Sequence, residues 1–275
     1  IAGIGGAGVV TVGQTLAVAA HADGYFASNL DIIGLAQKYG AVYSHIKVAI
    51  SPEQMRSTRI ATGESNALIG CDLVVAVGDE ALSKLTKGKS VAVTDTTVVP
   101  TFEFSQNPDW QVSGDKQLER IIGVLGDGAR GIDAQGLSEK IMGDRGFANM
   151  LLMGAAWQQG GIPLSLKAIH RAIELNGVSI DKNKQAFNLG RLAYADAAAV
   201  QRMAKIDATA LLEANREKTV AEIVAHRVSE LTDYKDATFA ERYSKIVARL
   251  QGAGLSIEAV KAVAQGLYKL LAVKD

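Results

Sequence analysis

A single cysteine, Cys71, serves the whole 275-residue chain. That excludes an internal disulfide, and it excludes an all-cysteine iron–sulfur cluster held by this chain alone. Cys71 sits between an apolar stretch and Asp72-Leu73-Val74-Val75, the setting of a buried structural thiol. Neither sign of charge is in excess: Lys and Arg total 29, as do Asp and Glu. Net charge therefore gives no reason to expect nucleic acid or an anionic membrane as a partner. No uninterrupted apolar run is long enough to span a bilayer, and no signal peptide is visible, so the cytoplasm is the expected compartment. His21, His45, His170 and His226 are scattered without metal-ligand spacing. The G-x-S-x-G elbow is absent, and no Asp/Glu pair stands out for acid–base work. The residues thus nominate no catalytic group and no metal ligand.

What is present is an ordinary globular balance, 48% hydrophobic and 21% charged, with room for one large domain or two smaller ones. The first nine residues carry the most information. Ile1-Ala2-Gly3-Ile4 runs into Gly5-Gly6-Ala7-Gly8, and a helical apolar pattern follows over Val9 to Ala22. This reads as strand, tight turn and helix start. The glycines let backbone approach a ligand, and the helix N-terminus offers unpaired N–H groups to a phosphate. Gly3, Gly5 and Gly8 also fit the G-x-G-x-x-G dinucleotide spacing. Such turns also close strand–helix corners with no ligand at all.

Alternation continues to about residue 100. Tyr25 to Leu30 reads as a strand, as does Ala41 to Ile50, where Val42, Ser44, Ile46 and Val48 share one face. Asp72 to Gly78 and Ser90 to Asp95 are Val-rich runs of the kind buried on both faces of a sheet. The fold class is α/β: a Rossmann-like, mostly parallel sheet, followed by a helical C-terminal region. Beyond about residue 115 the pattern is read as almost wholly helical. Phe147 to Gln159 stops at Gly160-Gly161, Ser165 caps Leu166 to Asn176 ahead of Gly177, and another helix starts near Asp181. After about residue 206 three stripes follow: Val220, Ile223, Val224, Leu231; Phe239, Tyr243, Ile246, Val247, Leu250; and Ile257, Val260, Ala264, Leu267, Leu271. A bundle burying its own stripes explains them more simply than a membrane-lying helix.

A second polar cluster surrounds Gly40: Gln37, Lys38, Ser44, His45 and Lys47. Donors and cations beside a glycine break suit an anion, but on these residues alone a solvated loop feeding a strand is the simpler account. Asp31 lies near the place of the ribose-binding acid of a dinucleotide fold, which keeps an NAD(P)-dependent dehydrogenase open.

These stretches together resemble a known family. Gly3 to Thr11, Gly34-Leu35-Ala36-Gln37-Lys38 and Gly40 to Ile46 look like the gamma-type domain of the 2-oxoacid:ferredoxin oxidoreductases. The likeness continues through Thr101 to Phe104 and Asn107-Pro108-Asp109. It is strongest in Ala148 to Gln158 and Ala172 to Val178, which resemble the large indolepyruvate ferredoxin oxidoreductases. Leu231 to Asp236 and Tyr268 to Asp275 are similar to the helical region that follows there. The resemblance implies a gamma-type domain over 1–198, with its sheet core over about 1–110 and helices after, and a helical region over 199–275. It implies oxidative decarboxylation of an arylpyruvate to an acyl-CoA, with electrons leaving to ferredoxin. This segment would support coenzyme A binding and domain assembly, through Gly5, Gly6, Ala7 and Gly8 with Ser44, His45 and Lys47. Thiamine diphosphate, Mg and [4Fe-4S] clusters are implied elsewhere in the enzyme, and the isolated segment is expected to be inactive. Implied partners are other domains or subunits of the oxidoreductase, ferredoxin, and further copies in a homo-oligomer. A purely structural assembly module is compatible with the same family. Ala7, Tyr39 and Lys47 depart from the residues common at those places.

Gly126-Asp127-Gly128 followed by Asn149 imitates the pattern that holds the magnesium of thiamine diphosphate, but Met150 stands where a second Asn belongs. Both ends of the sequence look cut, the expectation for a segment of a longer polypeptide.

Overall fold

The structure, a computed structural model, describes residues 1–33, 40–98, 113–214 and 219–272, with backbone alone over 206–214. The sequence segments 34–39, 99–112, 215–218 and 273–275 lie outside the described residues, including Gln37, Lys38 and the 101–109 stretch.

Two compact units emerge, Ile1–Ala208 and Thr209–Asp275. The division falls later than the 198/199 boundary expected from the sequence. The first unit is built on six strands: β1 (Ala2–Ile4), β2 (Phe26–Ile33), β3 (Ala41–Ala49), β4 (Ala67–Gly70), β5 (Val91–Asp95) and β6 (Ala129–Ile132). Their spatial order is β2-β3-β1-β4-β5-β6. β1, β4, β5 and β6 pair in parallel, while β3 is antiparallel to both β1 and β2. Five strands therefore share one direction and β3 alone opposes them, which makes the sheet mostly parallel. The reversal has a local cause. Only residues 34–40 separate β2 from β3, too short a link for a parallel crossover.

Strand alternation feeds two apolar layers. Ile69, Val93 and Ile132 face one layer, with helices α1 (Val9–Ala22), α6 (Ala148–Gln158), α7 (Leu166–Asn176) and α8 (Ile180–Ala195). Leu68, Ala92 and Ala129 face the other, with α2 (Leu73–Ala76) and α4 (Gly114–Leu125). The short helices α3 (Asp79–Leu82) and α5 (Ala134–Leu137) link strands and helices. Local signals set several boundaries. The Ser165 hydroxyl accepts from Ala168 N at the start of α7, and Gly177 ends that helix at φ 73°. Asp23, just after α1, accepts from both Ser165 N and Ser165 Oγ at 2.6 Å, tying two helix ends together.

Two expectations are corrected. The Asp72–Gly78 run is not a strand: β4 precedes it, and Asp72 caps the four-residue helix α2 by accepting from Val75 N. The sheet also runs past its expected bound of about residue 110, because β6 adds Ala129–Ile132 to a region that is otherwise almost wholly helical among its described residues.

In the second unit, α10 (Val220–Tyr234), α11 (Ala237–Gly252) and α12 (Ile257–Leu271) bury Val220, Ile223, Leu231, Tyr243, Val247, Val260 and Ala264 against one another. These are the stripe residues of the sequence, except that Ile246 and Ile257 are exposed. Helix α9 (Ala197–Ala214) spans the division between the units.

Candidate functional site

The turn after β1 opens at the carboxyl edge of the parallel strands, where ligands of open α/β sheets bind. Its shape follows from its glycines. Gly6 has φ 94° and Gly8 has φ 79°, the left-handed region that disfavours side chains. Gly5 N donates to Gly40 O and Ala7 N donates to Ile4 O, both at 3.0 Å, which pins the turn at two points. Gly5 and Gly6 are exposed, Ala7 and Gly8 half-buried. No described residue lies within 4 Å of where a Cβ on Gly6 would stand. Gly8 caps α1, and no side chain bonds the first turn of that helix. Its N-cap, a glycine, has no side chain to accept from the first N–H groups of α1, and the helix dipole there favours a negative charge. An anion there gains about 0.3–1 kcal/mol when exposed and up to about 2 when partly buried.

Ser44, His45 and Lys47 do not join this turn. The register pairs Ala41 with Ile4 and Tyr43 with Ala2, so residues 44–47 run beyond the start of β1, at the amino edge. Their closeness to Gly40 in sequence, and the family resemblance, are all that link them to the turn. The antiparallel course of β3 carries them to the opposite end of the sheet. Ser44 is buried and donates from Oγ to Asn29 Oδ1 at 2.8 Å, beneath Gly13 of α1. His45 accepts from Ile60 N at its Nδ1, 3.0 Å away. Burial, with Lys84 and Arg59 nearby, pushes its pKa below the ordinary histidine value. Lys47 is half-buried. These residues border a cavity of about 730 Å³ at the amino edge, where β3 and β4 run past the short β1. Glu64, Glu80, Lys84 and Lys89 also line it. Glu80 is bridged there by Arg59 and Lys84 at 2.8 and 3.3 Å.

Two other readings lose their geometry. A ribose-binding acid belongs at the end of the strand beside β1. Asp31 instead pairs with Ser44, and β3 separates its strand from β1. The magnesium imitation also comes apart. Gly126-Asp127-Gly128 forms a turn before β6, at the amino edge, while Asn149 lies at the carboxyl edge against Gly8. Among the described residues no group of His, Cys, Asp or Glu is arranged to hold a metal. Cys71 is buried and its thiol pKa is pushed up to about 12 by that burial, the opposite of a cluster ligand. Thiamine diphosphate, magnesium and iron–sulfur clusters therefore find no fit in the described residues.

Sequence reasoning passed over two buried carboxylates at the same carboxyl edge. Asp72 follows β4 and Asp95 ends β5, and both are fully buried. Asp95 Oδ1 accepts from Thr97 N and Ala134 N at 3.1 and 3.2 Å. Burial raises the pKa of both above the ordinary aspartate value, despite these backbone donors. The strand-end position of Asp95 was the one signal available.

Comparison with known proteins matches residues 1–193 to the family described as Pyruvate ferredoxin/flavodoxin oxidoreductase. The chain belongs to that family. Residues 220–275 match a second family, described as Family of unknown function (DUF6537). Indolepyruvate oxidoreductase subunit IorB of Thermococcus kodakarensis is 26% identical over 192 residues, covering 69% of this chain and 92% of that protein. Indolepyruvate oxidoreductase subunit IorB of Methanothermobacter thermautotrophicus is 26% identical over 201 residues, with 71% and 96% covered. Among solved structures, pyruvate oxidoreductase subunit PORC of Thermotoga maritima superposes with a TM-score of 0.48 at 19% identity, covering 69% of this chain and 92% of that one. Among the described residues no helix is long and apolar enough to cross a membrane.

Proposed function

We propose that this chain is the gamma-type module of a 2-oxoacid:ferredoxin oxidoreductase acting on arylpyruvates such as indolepyruvate, and that its Gly5–Gly8 turn holds a phosphate of coenzyme A. The family match over residues 1–193 supports the module role. One observation carries the binding role: an uncapped helix start behind an exposed glycine turn, open at Gly6 and set at the carboxyl edge. The backbone N–H groups bind and orient the polyanion, and the absence of a Cβ at Gly6 lets phosphate reach them. The chemistry at the oxoacid carbonyl and the electron transfer belong to thiamine diphosphate and iron–sulfur clusters held elsewhere in the enzyme. Other subunits or domains of that enzyme are the module's partners, with ferredoxin as acceptor.

The test uses the intact oxidoreductase and two variants. Gly6→Ala and Gly6→Asp both place a Cβ at this positive φ, a position aspartate tolerates no worse than alanine, and only the second adds a negative charge. Gly6→Asp should raise the KM for coenzyme A at least tenfold over Gly6→Ala, a difference of about 1.4 kcal/mol. Equal KM values in the two folded variants would move the site elsewhere and leave the module an assembly surface. Substrate class is read from kcat/KM for indolepyruvate and phenylpyruvate against pyruvate and 2-oxoglutarate. A preference for the short or acidic oxoacids would overturn the arylpyruvate assignment.

A further inference from the structure

The cavity at the amino edge has the outline of a strand. In spatial order β1 lies between β3 and β4. Neighbouring strands stand about 4.8 Å apart, so the gap between β3 and β4 is one strand wide where β1 fills it. Beyond Ile1 both walls continue. Ser44 is the last residue of β3 to find a partner there, and His45 to Ala49 run on for roughly 17 Å. Leu68 and Ala67 of β4 continue on the other side.

Hydrogen bonding defines what the gap accepts. Ser44 N donates to Ile1 O at 2.9 Å, and Ile1 N donates to Ser44 O at 2.8 Å. That reciprocal pair fixes the alternation. Ile46 and Val48 present their N–H and C=O groups to the gap, while the main chain of His45 and Lys47 faces β2. No described residue bonds to Ile46 or Val48 on the gap side. Leu16, Ile46, Val48, Ile162 and Leu164 make one face of the gap apolar. Leu68 and Leu85 lie on the other face, with His45, Lys84 and Glu80. The nitrogen of Ile1 already sits in the ladder as a strand amide does, and burial pushes its pKa as a free amine down to about 6. A peptide N–H makes the same bond with no charge to desolvate.

We propose that this cavity is a slot for polypeptide: the chain that enters Ile1 from upstream continues β1 through it and bonds to Ile46 and Val48. The occupant is an extended segment of about four residues. Counting back from Ile1, its second and fourth residues lie opposite Ile46 and Val48 and carry apolar side chains, because a strand alternates with period two. Whatever precedes this module is then joined to it through a central strand of the sheet, not through a free linker.

Hydrogen exchange on the intact oxidoreductase, resolved amide by amide, tests this with Ser44 N as the internal standard. A filled slot predicts that the Ile46 and Val48 amides exchange within about tenfold of Ser44. Faster exchange than that overturns the proposal. Peptide mapping of the same polypeptide identifies the occupant. The expected result is a peptide that reads through Ile1, with apolar residues second and fourth before it. Ile1 as the native terminus, or charged residues at both positions, overturns the proposal, and protected amides would then report a strand from another copy or subunit. Register gives an independent check. Inserting one residue directly before Ile1 reverses the inward and outward alternation, and inserting two restores it. The single insertion should lower the thermal midpoint of the module more than the double one. Equal midpoints in the two would overturn a continuous strand.

Discussion

Replacing Gly190 with alanine should destabilise the first unit, although alanine is the better helix former. Gly190 lies in α8, where that helix crosses α6 backbone to backbone. A Cβ there would collide with Leu151 O and stand 2.7 Å from Leu151 C and 3.0 Å from Ala155 N. Gly154 of α6 meets α8 in the same way, 2.7 Å from Phe187 C and 3.0 Å from Phe187 Cα. Carbon contacts are favourable near 3.5–4.0 Å, so the helices must part by roughly 1 Å. The atoms in the way are backbone and cannot rotate aside. Parting would loosen a seam that includes Leu151, Leu152, Ala186 and Phe187, each 0% exposed. Overpacking of this kind costs about 1–3 kcal/mol or more, and the gain in helix propensity offsets about 1. Because the obstructing atoms are backbone, the cost lies at the upper end, about 3 kcal/mol, and the net loss is about 2 kcal/mol, or a fall in Tm of about 4–8 °C for a unit of this size. Gly123→Ala in α4 is the control. That glycine is exposed and nothing lies within 4 Å of its Cβ position, so it should gain about 0.5–1 kcal/mol. Thermal unfolding followed by circular dichroism compares the two. A Gly190→Ala variant as stable as the parent would refute the close crossing.

Three further outcomes follow from buried polar groups. Cys71, with its thiol pKa raised to about 12, should resist alkylation at neutral pH in the folded protein and react at once in denaturant; rapid native labelling would contradict its burial. Asp95 has a folded pKa above its unfolded one, so the stability it contributes is present below the ordinary aspartate range and is lost as pH rises through the raised value. Asp95→Asn should therefore gain stability relative to the parent as pH goes from 4 to 7 in urea unfolding, and parallel curves would show that the carboxyl does not titrate as proposed. In the helical unit, the buried Tyr243 hydroxyl donates to Ala264 O at 3.1 Å, so Tyr243→Phe should cost about 0.5–1.5 kcal/mol, the net worth of one hydrogen bond to a carbonyl that keeps its helical partner; a neutral result would mean that the hydroxyl contributes nothing there.

Much of the helical framework was legible because its signals are local. Ser165 before Leu166 and Gly177 after Asn176 mark both ends of α7 by cap chemistry that depends on few neighbours. The misread elements were short. Leu73-Val74-Val75-Ala76 is as apolar as a buried strand, and four residues are too few for periodicity to separate the two states. Its preceding Asp72 was the cap that told them apart. β6 went unseen because Arg130 and Gly131 interrupt its apolar pattern, and its pairing with β5 is a tertiary fact. The Gly5–Gly8 turn was legible as geometry. The placement of Ser44, His45 and Lys47 was not, because it depends on which way β3 runs.

The direction of β3 also decides between chemistries. A dinucleotide fold sets its second strand parallel beside the first, so that a strand-end carboxylate reaches the ribose of a cofactor whose pyrophosphate lies on the glycine turn. Here residues 34–40 are too few to cross the sheet, and the chain turns straight back as β3. That hairpin fills the place beside β1, moves β2 to the edge, and carries Asp31 into a row with Ser44. On the reading proposed above, the glycine turn takes phosphate while the partner that would make it specific for NAD(P) is displaced. A turn that reads only phosphate suits a ligand whose identity is checked elsewhere, by another domain or subunit. It also sets the expected selectivity. Coenzyme A should compete with other phosphorylated ligands at this turn on phosphate charge alone, so inorganic pyrophosphate should inhibit competitively against coenzyme A. Inhibition that is non-competitive with coenzyme A would separate the turn from the coenzyme's path.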